Sequence, residues 1–67
     1  MTRVHLDVFN LLGQRVRSLV NEALPPGHYR TTFDARDDAG RELPTGLYFY
    51  RLETGKESQT RKMMLLR

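Results

Sequence analysis

The sequence predicts an all-β domain, an antiparallel sandwich or small barrel of about five short strands. Three observations carry this. Apolar and polar residues alternate along most of the chain, turn clusters of Gly, Pro and Asp recur about every 8 to 14 residues, and no stretch keeps helical spacing for as many as ten.

Val4, Leu6 and Val8 share one face while His5, Asp7 and Phe9 share the other, as in a half-buried strand. Asn10-Leu11-Leu12-Gly13-Gln14 follows, with Gly13 supplying the positive φ of a hairpin turn. Arg15 to Val20 resumes as a strand with Val16 and Val20 on one face. Leu19 breaks the alternation and predicts a bulge or a second buried face. Pro25-Pro26-Gly27 stops that strand, since two prolines remove ladder donors and Gly27 closes a turn.

A third strand is expected over His28 to Asp34, burying Tyr29, Thr31 and Phe33. A polar loop from Ala35 to Gly46 carries turn signals at Asp37-Asp38-Ala39-Gly40 and Pro44-Thr45-Gly46. The fourth strand buries Tyr48, Tyr50 and Leu52 and leaves Phe49 and Arg51 outside. Gly55-Lys56 then turns the chain into a fifth strand that runs to the end. Gly13, Gly27, Gly40 and Gly55 are read as structural turns.

Length and composition narrow the function. A chain of 67 residues is one domain, here taken as residues 1–67, and a small one with little core to stabilise it. It has no cysteine for disulfides, and its two histidines cannot close a zinc site. Net charge is +3, but the arginines are dispersed and interleaved with acids. That pattern predicts a solvated sheet with cross-strand ion pairs rather than a nucleic-acid surface. No apolar run approaches the roughly 20 residues of a membrane helix, and Met1 to Asp7 lacks the apolar core of a signal peptide.

Catalytic chemistry finds little purchase. Asp34, Asp37, Asp38 and Glu42 form an acidic cluster, but Arg36 stands where an EF-hand loop counted from Asp34 needs an oxygen ligand. They are read as turn residues, with a looser calcium site as the alternative. His5, His28, Ser18 and Ser58 lack the partners that acid–base or nucleophilic work requires, so no enzyme and no cofactor is expected. Tyr29, Phe33, Tyr48, Phe49 and Tyr50 suggest a carbohydrate platform, yet alternation buries all but Phe49, which favours core packing.

Three ordered motifs carry a family resemblance. Val4 to Val16 resembles the opening hairpin of the type A C-terminal sorting domain of the type IX secretion system. Gly46-Leu47-Tyr48-Phe49-Tyr50-Arg51-Leu52 is similar to its G-x-Y-x-Y/F-x-L strand, and Thr60 to Arg67 to its final T-x-K-hydrophobic-basic strand. Phe33 to Arg41 resembles the related Ig-like domain of flagellar hook-capping proteins. Members of the sorting family usually begin with an Asn-Pro-Phe-Asn-Pro-like segment and a further strand, so this chain is expected to be N-terminally incomplete, leaving a sheet edge open.

The resemblance implies a small antiparallel Ig-like β-sandwich that lacks the usual first strand. It implies a non-catalytic module that directs an N-terminal cargo domain through the periplasm and outer membrane to the cell surface or the medium. Its partners would be an outer-membrane translocon and a sortase. The partner-binding residues it implies are Gly46, Tyr48, Tyr50, Lys62, Met63, Met64, Leu65, Leu66 and Arg67, with the last strand offering its backbone to a receptor sheet. Gly46 is expected to permit a tight approach to the Tyr48 strand. An open edge also predicts a homo-oligomer. The alternatives are a structural Ig-like spacer and a carbohydrate-binding module.

Overall fold

The computed structural model describes residues 2–25 and 32–66. They form four antiparallel strands and no helix: β1 (Thr2–Phe9), β2 (Arg15–Leu24), β3 (Gly46–Thr54) and β4 (Glu57–Leu65). These lie in one sheet of order β2-β1-β3-β4, an all-β arrangement consistent with a small Ig-like sandwich. β1 and β3 are central, and β2 and β4 are the edges. The expected strand over His28 to Asp34 falls largely outside the described residues, and its described end, Thr32 to Asp34, is not strand.

The first hairpin forms because Asn10 organises its own turn. Its carboxamide oxygen accepts from the N–H groups of Leu12 (2.9 Å) and Gln14 (3.0 Å), while its carbonyl accepts from Gly13, held at φ 79°. The same construction recurs at Asp37. Its carboxylate accepts from Ala39 (3.0 Å) and Arg41 (2.9 Å), and its carbonyl accepts from Gly40 at φ 83°. Asn10-x-x-Gly13 and Asp37-x-x-Gly40 are therefore one turn used twice.

β2 is bulged twice. Leu6 pairs with Val20 but Asp7 with Ser18, and Val8 pairs with Arg17 but Phe9 with Arg15. The two residues passed over, Leu19 and Val16, both pack against the core. The bulge and the buried contact expected of Leu19 are thus the same feature, since an extra residue re-aims its side chain.

The core face carries Val8, which is 1% exposed, with Tyr48 from β3 and Leu43 from the loop before it. Val16, Leu19, Phe33, Tyr50, Met63 and Leu65 pack around them. Leu43 is fixed where its N–H donates to the Ala35 carbonyl at 2.9 Å, beside an antiparallel bridge between Arg36 and Glu42. Phe33 reaches this core from outside any strand.

Two expectations are corrected. Among the described residues no ion pair crosses between strands. Arg17 reaches the loop at Asp34 (3.0 Å), Arg36 and Glu42 (3.6 Å) and Arg41 and Asp37 (3.2 Å) pair within the loop, and Arg51 and Glu53 (2.8 Å) share one strand. Asp7, assigned to a solvated face, is 7% exposed, and one of its carboxylate oxygens has no hydrogen-bond partner. It stands on the sheet's central strand with Ser18 on one side and Arg51 on the other. The Arg51 guanidinium is committed elsewhere, to Glu53 and to the Phe9 ring 4.9 Å away.

Candidate functional site

The two segments expected to bind partners come together as one hairpin. Gly46 pairs with Leu65, Tyr48 with Met63, Phe49 with Lys62 and Tyr50 with Arg61, in a register unbroken to Thr54 and Glu57. Gly55, at φ 47°, closes it in a two-residue turn with Lys56, and a Cβ there would lie 3.2 Å from Thr2.

Paired residues share a face, so the motif residues divide. Tyr48, Tyr50, Met63 and Leu65 turn to the core, where the Tyr48 hydroxyl donates to the Pro44 carbonyl at 2.7 Å. These four hold the hairpin to the domain. Lys62 and Met64 alternate onto the other face, where Met64 is 61% exposed, and Leu66, just past β4, is 76% exposed. Arg67 and Gly27 lie outside the described residues.

Gly46 is placed at the start of β3, but nothing inside the chain requires a glycine there. A Cβ at 46 would meet no atom within 4 Å, and its φ is outside the left-handed region. Phe49 is half-buried rather than exposed, because it pairs with Phe9 across β1 and β3.

The two sheet edges differ sharply. At the Val16–Ser18 end of β2 the loop supplies partners: Asp38 N–H donates to the Val16 carbonyl (3.0 Å), and its carboxylate accepts from Ser18 N–H (3.1 Å). Arg17 ties the same loop down through Asp34 and the Arg36 carbonyl (2.9 Å). Bulges and a covering loop blunt an edge. In this loop Asp37 forms the turn, and Asp34, Asp37, Asp38 and Glu42 each partner an arginine.

Among the described residues β4 has neither device. It pairs with β3 over nine residues without a bulge. Among the described residues it makes no hydrogen bond beyond that ladder. A two-residue turn makes Thr54 and Glu57 a hydrogen-bonded pair, and such pairs alternate along an antiparallel ladder. Gln59, Arg61, Met63 and Leu65 therefore bond inward to β3. The N–H and C=O groups of Ser58, Thr60, Lys62 and Met64 point out from the sheet and have no partner among the described residues. The arrangement can bind an extended segment and offers no group placed for bond chemistry.

The loop's cover over β2 escaped sequence reading. The repeated Asx-x-x-Gly spacing was its visible signal, but the docking of Asp38 on Val16 and Ser18 depends on the path of the chain between them.

A family model described as the secretion system C-terminal sorting domain matches residues 2–66. No curated protein and no solved structure matches the chain.

Proposed function

This chain belongs to the secretion system C-terminal sorting domains of type IX secretion, and we propose that it takes an N-terminally fused cargo across the outer membrane, with β4 as the strand the export machinery reads. The family's role is that of a sorting signal, not a catalyst. The observation that carries the finer reading is a contrast among the described residues: the loop pairs with β2 at Val16 and Ser18, while every second backbone group of β4 has no partner there. β-Strand addition uses such an edge, drawing affinity from main-chain hydrogen bonds and specificity from alternate side chains.

On this reading an outer-membrane translocon is the partner of β4, and a sortase acts on the cargo junction after passage. The cargo reaches the cell surface or the medium by way of the periplasm. Tyr48, Tyr50, Met63 and Leu65 keep the hairpin folded, while Lys62, Met64 and Leu66 stay available to the receptor.

The test is a reporter with a periplasmic signal peptide, followed by residues 1–67, in a bacterium that has this secretion system. The reporter is expected outside the cell. Retention of a folded, undegraded fusion in the periplasm would contradict the proposal.

A further inference from the structure

We propose that the segment docking on β4 is an acidic–apolar strand, with two adjacent carboxylates at the level of Arg61 and Lys62 and an apolar run beside Met63 to Leu66. The proposal rests on β4 being the recognised edge and adds the chemistry of its partner.

Arg17, Arg36, Arg41 and Arg51 each meet a carboxylate of the chain. Among the described residues Arg61 and Lys62 are two adjacent cations without a carboxylate of their own; Arg3, Arg15 and Lys56 also lack one but stand singly. The cross-strand partners of Arg61 and Lys62 are Tyr50 and Phe49, and β4 carries no acid beyond Glu57 at its start. Being consecutive, the two cations stand on opposite faces of the sheet. A partner strand satisfies both only if it too carries two consecutive charges of the opposite sign, since directly opposed unlike charges stabilise a strand pair and like charges oppose it.

The next residues fix the rest of the pattern. Met63 and Leu65 continue the core face toward the open edge, and Met64 and Leu66 are exposed on the other. A partner with apolar residues on both faces at that level would remove all four from water. A shallow depression lined by Phe49, Tyr50, Thr60, Arg61 and Lys62 lies at the charged level and can seat one carboxylate side chain.

The same charges disfavour a second copy of this chain. An antiparallel dimer centred between residues 61 and 62 sets the Arg61 of each copy opposite the Lys62 of the other, cation against cation. Basic residues in the middle of an open strand thus guard against self-pairing while selecting an acidic partner.

Extended synthetic peptides added to the isotope-labelled 67-residue domain test this. One carries two adjacent glutamates and four valines, a second has glutamines in place of the glutamates, and a third has lysines. The acidic peptide is expected to bind about tenfold tighter than the neutral one, slowing amide exchange at Ser58, Thr60, Lys62 and Met64. Lys62→Glu combined with Arg61→Glu should invert the order of acidic and basic peptides. Lys62→Gln, at an exposed position, should narrow it if the double variant does not fold. Equal binding of acidic and neutral peptides would overturn the acidic partner and leave the edge reading standing. No slowed exchange with any peptide would overturn both. Tighter binding to anionic lipid vesicles than to the acidic peptide, or self-association that excludes the peptide, would also overturn the proposal.

Discussion

Tyr48 is held by two means, and they separate cleanly by substitution. Its ring is 5% exposed against Val8 and Leu43, and its hydroxyl donates to the Pro44 carbonyl at 2.7 Å. Tyr48→Phe keeps the ring and deletes the hydrogen bond, so denaturant unfolding is expected to show a loss of about 1 kcal/mol with the fold intact. Asp37 makes a second residue-level test. The Arg41 backbone N–H, above all, holds its carboxyl below the ordinary 3.8, assisted by the Arg41 guanidinium and the Ala39 N–H and opposed by burial. A carboxyl depressed in the folded state stabilises the loop above its unfolded pKa, and that contribution is lost as pH falls through the folded one. The Ala39 and Arg41 amide resonances should therefore stay constant through neutral pH and move with a midpoint below 3.8. A midpoint at or above that value would contradict the turn geometry. Gly13 and Gly40 were legible as turn glycines because a tight turn needs positive φ. The burial of Asp7 was not, since alternation assigns a face but cannot say how far central neighbours screen it.

At the scale of elements, the strands were legible wherever alternation was long. β1, β3 and β4 stand where period-two patterning and the Gly-containing turns put them, β2 runs to Leu24, four residues past the expected Val20, and Leu19 announced its bulge by breaking the pattern. Two things were not legible. Alternation carries no information on which strands become neighbours, so the pairing of β1 with β3 depends on tertiary packing. Nor does it show that a loop will shield one edge and leave the other free. The inward and outward groups of β4 give this element its test. Thr60 directs its N–H away from β3, where a proline is tolerated, whereas Arg61 directs its N–H into the ladder. Thr60→Pro should cost about 1 kcal/mol or less, and Arg61→Pro roughly 2–3 kcal/mol, enough to unfold so small a domain. A fusion carrying Thr60→Pro should be folded yet fail to leave the periplasm. Export at the wild-type level would show that β4's outward backbone is not read.

The molecule as a whole is thinly supported. Among the described residues only Val8, Leu43 and Tyr48 are buried hydrophobics, and Leu11, Leu12, Met64 and Leu66 are exposed large ones. A domain of this size buries only about 60% of the surface its unfolded chain exposes. Such a domain gains from a partner that extends its sheet and covers the end of β4, which fits a signal meant to be engaged. Sequence motifs were enough to place the chain in its family, and two of the three lie on neighbouring strands of one hairpin. They did not show which edge would be open, since that depends on how the loop folds back on Val16 and Ser18. Residue-resolved amide hydrogen exchange on the 67-residue chain reads that edge directly. The N–H groups of Gln59, Arg61, Met63 and Leu65 are expected to be protected, while those of Ser58, Thr60, Lys62 and Met64 exchange at close to the unfolded rate. Equal protection of both sets would mean that something already pairs with β4, and the strand would not be available to a receptor.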